Sequence, residues 1–444
     1  MKRGQAMDCG AALRASDMPE AVNLALDWLH RSATFFSASP SFQNAQNAVY
    51  YHQEMRYLQR LGVFGGTFDP IHEGHLAIAR QAKAAAGLDQ VLILPMAHPA
   101  HREPAAPFAA RMAMCCLAVG HEPGLTVSDA GASARFTSDT IPLLRRAYPG
   151  AAFTLILGAD KLPSLPYWHD AARLFAACDM LCFPRAGVDT APALQKAQAA
   201  GARVKLLPGA QLPFSSTLIR TLSEKYEDAP GVSLPVLCYM AENGLYQPNL
   251  LPRLRTMMNP HRFKHTLGVR SEAVRLAALH GLAVQKAALA GLLHDCAKGM
   301  PLPQMVQLSR ENNLVSDPVL LSSGAMLHGP VGAYVAQAQF GVQDADVLAA
   351  IRNHTIGRPG MSGLELCVFV ADATEPGRED YEGLAEIRFL ADRSLAAAAL
   401  KSLMLTQEYL ESRGKPFFPI AKKTAEYLKA HLSPQEKAWL AQTR

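Results

Sequence analysis

From Leu61 to about Tyr246, short apolar runs alternate with stretches whose apolar positions recur at helical spacing. Leu61–Phe64, Gln90–Leu94, Phe153–Leu157, Asp179–Phe183 and Val204–Leu207 have the length and bounded apolar character of buried strands. Between them, Ala- and Leu-rich stretches near 74–86, 107–119, 138–148, 168–177, 191–200, 216–224 and 233–242 predict helices. Strands separated by helices predict an α/β doubly wound parallel sheet with helices on both faces. Such sheets bind ligands at the carboxyl ends of their strands.

Beyond Tyr246 the strand signal vanishes. A Pro- and Arg-bearing segment, 247–260, reads as a linker, and 261–444 reads as all-α. Val269, Ala273, Leu276 and Ala277 share one helical face, while Ala287–Leu293 is nearly all apolar, as a buried helix requires. Residues 1–57 differ from both parts. A Ser/Pro stretch from Ser37 to Ser41 and the Gln/Asn-rich 43–47 predict a poorly ordered extension, or a start assigned too early with Met55 as the true one. A helix from about Pro19 to Arg31 fits the apolar spacing there, and an interaction arm is the alternative role. The boundaries expected are therefore 1–57, 58–246, 247–260 and 261–444.

Composition narrows the classes. In 444 residues, 49% are hydrophobic and 18% charged, which excludes a mainly disordered chain or a coiled coil. No apolar run approaches the ~18–20 residues that span a membrane. The net charge of +5 is spread without a basic tract, so anionic small molecules fit at least as well as nucleic acid. Eight cysteines form no CxxC pair and read as reduced thiols of a cytoplasmic protein.

The most informative segment runs Leu61-Gly62-Val63-Phe64-Gly65-Gly66-Thr67-Phe68-Asp69-Pro70-Ile71-His72-Glu73-Gly74-His75. A strand enters two glycines, which permit a tight turn and close approach of backbone to ligand. His72 and His75, three apart, share one face of a first helical turn. Helix N-termini attract phosphate through free N–H groups, and two imidazoles add donors for charge developing on a phosphoryl group. Late in the same domain, Phe214-Ser215-Ser216-Thr217-Leu218-Ile219-Arg220 opens a helix with hydroxyl and backbone donors. Arg220 adds a planar fork toward the same anion.

These two runs resemble the GTFDPxHxGH and ISSTxIR signatures of the HxGH nucleotidyltransferases. Within that superfamily the segment of about 60–246 is most similar to bacterial nicotinate-nucleotide adenylyltransferases. Pro99-Ala100-His101-Arg102 resembles the family's PPHK, with Ala for the second Pro and Arg for Lys. Phe136-Thr137-Ser138-Asp139-Thr140 resembles YTxDT, with Phe for Tyr. Gly158-Ala159-Asp160, Leu165-Pro166-Tyr167-Trp168 and Phe183-Pro184-Arg185 resemble GAD, LPxW and VPR. The resemblance implies a Rossmann-like fold and transfer of AMP from ATP to nicotinate mononucleotide. It implies catalytic roles for His72, His75 and Arg220. It further implies that Gly65, Gly66, Thr67, Phe68, His101, Arg102, Thr137, Asp139, Gly158, Asp160, Trp168, Arg185, Ser215, Ser216 and Thr217 bind substrate or ATP. Magnesium would come with ATP, held mainly by phosphates and water.

The second half carries Phe263-Lys264-His265-Thr266, Leu292-Leu293-His294-Asp295 and Val370-Ala371-Asp372. His294-Asp295 ends an apolar helix, where a charged pair is costly unless paired or metal-bound. Imidazole with carboxylate suits a divalent metal such as iron or manganese. This H…HD…D layout resembles the HD phosphohydrolase superfamily. Over about 261–430 it resembles YqeK-type hydrolases, which split diadenosine tetraphosphate into two ADP. Leu327-His328-Gly329-Pro330, Arg352-Asn353-His354-Thr355 and Ala371-Asp372-Ala373-Thr374-Glu375-Pro376-Gly377-Arg378 carry that likeness. Cys296 and Ala373-Thr374 stand where other residues are common. It implies metal ligation by His265, His294, Asp295, His328, His354 and Asp372 around a dinuclear iron or manganese centre, with Asp295 also catalytic. Lys298, Arg358 and Arg378 are candidate phosphate contacts.

The implied whole is a bifunctional enzyme acting on ATP, nicotinate mononucleotide and diadenosine tetraphosphate, with no nucleic-acid or membrane partner and compatible with a homo-oligomer. Two alternatives stay open. The helical domain could be a non-catalytic nucleotide sensor. The first domain could use nicotinamide mononucleotide or phosphopantetheine, although His72 and Trp168 count against phosphopantetheine.

Overall fold

The computed structural model describes residues 60–443 apart from 100–102, 121, 131–133, 135, 185–188 and 209–211. The expectations for residues 1–57, His101, Arg102 and Arg185 lie outside the described residues.

The first half is a six-stranded parallel sheet, β1 (Arg60–Gly66), β2 (Gln90–Pro95), β3 (Leu125–Val127), β4 (Ala152–Gly158), β5 (Asp179–Phe183) and β6 (Val204–Leu206), in the order 3-2-1-4-5-6. Helices α1 (Glu73–Ala86), α2 (Phe108–Val119), α3 (Thr137–Ala147), α4 (Ala171–Ala177), α5 (Thr190–Ala199) and α6 (Ser216–Glu224) connect or follow the strands. Leu61, Val63, Leu92, Leu94, Leu155 and Met180 face one core, under Ile141 and Leu144 of α3 and Leu174 and Phe175 of α4. The intervening Phe64, Val91, Ile93, Ile156 and Leu181 are buried as well. Burial on both faces is why these strands read as continuous apolar runs rather than alternating ones. β3 was not anticipated. Its three residues, with only Leu125 buried, pair at the sheet edge beside β2 and give no apolar run.

The strand order reverses between β1 and β4, which pair from Arg60↔Ala152 to Phe64↔Ile156. Their carboxyl ends, Gly65-Gly66 and Gly158, therefore flank the crevice where such sheets accept ligands.

The remainder is helical. α7 (Leu234–Asn243) and α8 (Leu251–Thr256) are followed by α9 (Pro260–Leu279), α10 (Val284–Leu293), α11 (Leu302–Glu311), α12 (Pro318–Leu321), α13 (Gly324–Phe340), α14 (Ala345–Asn353) and α15 (Gly363–Thr374). The last four are α16 (Leu384–Ala391), α17 (Leu395–Ser412), α18 (Pro419–His431) and α19 (Pro434–Ala441). None of the described helices is long and apolar enough to cross a membrane.

The chain divides into two compact units. Leu222–Asp228 and everything from Leu237 onward group with the helices, and Ala229–Val236 groups with the sheet. This differs from a boundary at 246 followed by a linker. The Asp228 carboxylate accepts the backbone N–H groups of Val284 (2.8 Å) and Gln285 (2.9 Å) at the start of α10. Buried Arg270 of α9 donates to the Ala241 carbonyl at 3.1 Å. Residues 251–256 form α8, whose Leu254 is fully buried. A Pro/Arg-rich composition does not reveal such anchoring.

Candidate active sites

In the sheet unit, β1 ends at Gly65-Gly66 and the chain turns through Phe68, which holds a positive φ of 47°. Asp69 is 2% exposed, and its carboxylate accepts the backbone N–H groups of Ala105 (2.8 Å) and Ala106 (3.1 Å). His72 is the N-cap of α1, one position outside the helix rather than within its first turn. It still lies beside His75. The His72 backbone N–H donates to His75 Nδ1 at 3.2 Å, and the ring centroids are 3.8 Å apart. Phe68 meets the His75 ring edge-on at 5.0 Å. A Cβ on Gly74 would lie 2.9 Å from His72 Nδ1 and Cε1, so the spacing residue of the motif must be glycine for the ring to fold back over it.

The second signature docks on the first. Ser216 Oγ donates to the Pro70 carbonyl at 2.8 Å, and Arg220 donates to the Asp69 carbonyl at 2.6 Å and to Thr217 Oγ1 at 3.1 Å. Ser215 Oγ accepts the Leu218 N–H at 3.2 Å, and Glu73 N–H reaches the Gly231 carbonyl at 2.8 Å. His72, His75, Ser216, Thr217 and Arg220, remote in sequence, thus belong to one interlocked pair of helix starts.

The other expected contacts sit at neighbouring strand ends. Asp160 follows β4, and a Cβ on Gly158 would come 2.5 Å from its Oδ1. Thr137 and Asp139 lie in the first turn of α3. Trp168 donates Nε1–H to Ser164 Oγ at 3.2 Å and packs partly against the core. Phe136 stacks on His169 with centroids 4.2 Å apart, joining the start of α3 to the turn bearing Trp168.

One participant was missed. Arg111 of α2 is 1% exposed, and its guanidinium donates to the carbonyls of Thr67 (2.7 Å), Met96 (2.8 Å), Ala106 (3.2 Å) and Ala97 (3.4 Å). It ties the glycine turn to the segment after β2. A lone Arg in an apolar helix was the only signal in the sequence.

In the helical unit, side chains from five helices and their ends converge. His294 and His354 are the C-caps of α10 and α14, where the last carbonyls of a helix lack helical partners. Each imidazole turns back to such a carbonyl: His294 Nδ1 to Gly291 O (2.8 Å) and His354 Nδ1 to Ile351 O (2.8 Å). His328, inside α13, turns its Nδ1 to the carbonyl of Gly324 one turn earlier, at 3.1 Å. A carbonyl only accepts, so each Nδ1 carries the proton and each Nε2 is left with a free lone pair facing the cluster. His328 Nε2 lies 3.1 Å from Asp295 Oδ1, His354 Nε2 3.5 Å from the same oxygen, and His294 Nε2 3.6 Å from Asp295 Oδ2. His265 Nε2 is 3.0 Å from Asp372 Oδ1, and His294 Nε2 is 3.9 Å from it. A Cβ on Gly329 would come 2.6 Å from the Arg352 carbonyl, so glycine next to His328 lets α13 close on α14.

Burial dominates the electrostatics. His294, Asp295, His328 and His354 are all buried. Burial pushes His294 down to about 4 against the pull of Asp295 and Asp372, and it also lowers His328. Both imidazoles are thus neutral and metal-competent at neutral pH. For Asp295, burial opposes ionisation, but the surrounding imidazoles win and hold it well below the usual carboxylate range. Asp372 follows the same pattern, with His265 its main partner. Burial would lower His265, yet hydrogen bonds to Asp372 and Glu375 carry it above its ordinary value.

Two overlapping donor groups lie within metal-binding reach: His265, His294 and Asp372, and His294, Asp295 and His354. Imidazole and carboxylate in this number fit a divalent metal; His294 falls in both groups, and its single free Nε2 lone pair can serve one position.

The candidate cations have partners of their own. Lys298 pairs with Asp295 (3.0 Å), Arg378 with Asp372 (2.9 Å), and Arg358 grips buried Glu365 with both ends of its fork (2.7 and 2.6 Å). Asn353, next to His354, donates to the same Glu365 at 2.7 Å. Neither Glu365 nor Glu375 was read as part of the site.

Comparison with known proteins follows the same division. Residues 63–222 match the cytidylyltransferase-like family, and residues 262–377 match the HD domain. A Mycoplasma genitalium protein named "probable nicotinate-nucleotide adenylyltransferase/Ap4A hydrolase" is 31% identical over 367 residues, covering 80% of this chain and 98% of its own. A Bacillus subtilis protein named "bis(5'-nucleosyl)-tetraphosphatase, symmetrical" is 38% identical over 175 residues, 39% of this chain and 93% of its own. A Gloeobacter violaceus "probable nicotinate-nucleotide adenylyltransferase" is 37% identical over 198 residues, 42% of this chain and 96% of its own.

Gly74→Ala should push the His72 ring from its place. Pyrophosphate release from ATP at the first site is expected to fall by about 10²-fold, while hydrolysis at the second site stays at the wild-type rate. Unchanged pyrophosphate release would show that the His72 position does not matter.

Proposed function

The chain belongs to the family of fused nicotinate-nucleotide adenylyltransferases and Ap4A hydrolases, and on that premise we propose that it carries both activities itself. The first transfers AMP from ATP to nicotinate mononucleotide, giving deamido-NAD and pyrophosphate. The second hydrolyses diadenosine tetraphosphate to two ADP. The observation that carries the reading is convergence: in each unit, side chains far apart in sequence meet around one polar centre.

At the first site the acceptor phosphate attacks the α-phosphorus of ATP in line and pyrophosphate departs. No protein nucleophile is needed, so the residues act by position and charge. His72 and His75 meet the α- and β-phosphates, while Ser216, Thr217 and Arg220 hold the triphosphate. The backbone of Gly65–Phe68 admits the nucleotide and Asp160 holds it. Thr137, Asp139 and Trp168 frame the pyridine. Magnesium arrives with ATP, held mainly by phosphates and water.

HD-domain hydrolases use a divalent metal, which supplies Lewis-acid polarisation of a phosphate and acidifies water. We assign iron or manganese, as a pair, to His265, His294, Asp295, His328, His354 and Asp372. Lys298 and Arg378, 37% and 38% exposed, offer charge to a polyphosphate at the rim. The described cysteines are all free, in keeping with a cytoplasmic setting.

Turnover of the acid and amide mononucleotides tests the acceptor. The acid should be preferred at least about tenfold, ~1.4 kcal/mol in transition-state binding; equal rates would remove the nicotinate assignment. Paired variants test the division of labour. His72→Ala should abolish transfer and spare hydrolysis, and Asp295→Ala should do the reverse. Loss of both activities in either variant would contradict two independent sites.

A further inference from the structure

The imidazoles of the metal-ligand cluster are not backed alike. Those of His294, His328 and His354 rest on backbone carbonyls. His265 instead rests on a carboxylate, with Nδ1 3.1 Å from Glu375 Oε1. Glu375 is 3% exposed, caps the end of α15 three residues after Asp372, and is pinned by the Gly377 N–H at 2.6 Å from Oε2. The space it occupies is made by Gly268, three residues after His265 on α9, because a Cβ there would collide with Glu375 Oε2.

We propose that Glu375 is a positioning residue that fixes His265 with Nε2 inward, and that its charge makes the position served by His265 and Asp372 the tighter of two metal positions. The inference rests on the divalent-metal reading given above. A carboxylate behind an imidazole fixes the ring, sets its tautomer and makes it a stronger donor than a neutral carbonyl does. The position served by Asp295, His328 and His354 has carbonyls, not a carboxylate, behind its imidazoles. Each position has one carboxylate, and the single free Nε2 lone pair of His294 serves only one of them.

The test titrates the metal-free full chain with manganese(II) and reads free metal by electron paramagnetic resonance. The wild type should show two binding steps of unequal affinity. Glu375→Gln keeps an acceptor but removes the charge. Gly268→Ala leaves every polar group in place but displaces the carboxylate. Each should weaken the tighter step by about 10–100-fold and leave the other step within about threefold. Selective loss in Gly268→Ala alone suffices if Glu375→Gln does not fold. Unchanged affinities, equal weakening of both steps, or equal wild-type steps would each overturn the proposal. If the wild type bound no manganese, the metal reading itself would fail, and this inference with it.

Discussion

Asp295 holds a carboxylate at 1% exposure among the ends of helices. A buried charge costs several kcal/mol unless partners compensate it. In the helical unit Lys298 comes to 3.0 Å and the Nε2 atoms of His294, His328 and His354 to within 3.6 Å, yet both carboxylate oxygens lack a hydrogen bond among the described residues. Much of its architecture follows. α10 and α14 end where their C-cap imidazoles can both turn back to a carbonyl and point inward, and Gly329 lets α13 come close enough to supply a third. A ring of imidazole Nε2 atoms around one carboxylate is an arrangement that a divalent metal completes.

The sheet unit solves a different problem. Its site must receive charge that arrives with substrate and departs with product. The unit offers helix starts, glycine turns and two side-by-side imidazoles. Deeply buried Asp69 and Arg111 near the site engage backbone N–H groups and carbonyls and so tie loops together. Rigidity there comes from the scaffold, and the charge left for the ligand is modest.

Much of this was legible in the sequence because it rests on local pattern. The helix bounds near 74–86, 107–119 and 216–224 agree with α1, α2 and α6 to within a residue. The His, Asp and Ser/Thr signatures pointed to groups that the fold does bring together. What escaped depends on tertiary context. β3 is three residues long, and its pairing with β2 creates it. Arg111 looks like an ordinary helical cation until its four carbonyl partners assemble around it. Glu365 and Glu375 lie among residues with stronger signals, and their roles appear only when Arg358, Asn353 and His265 are folded against them. The anchoring of residues 237–246 on α9 is likewise a matter of packing, not composition.

The central claim is that the ring around His294 and Asp295 is a metal centre. Anomalous diffraction from crystals of the full chain loaded with manganese(II) addresses it directly. The account predicts two peaks inside the ring, each within ~2.0–2.3 Å of imidazole Nε2 or carboxylate oxygen atoms, with the Nε2 of His265 on one and that of His354 on the other. An absence of peaks there, with manganese present in solution and the ring intact, would contradict it.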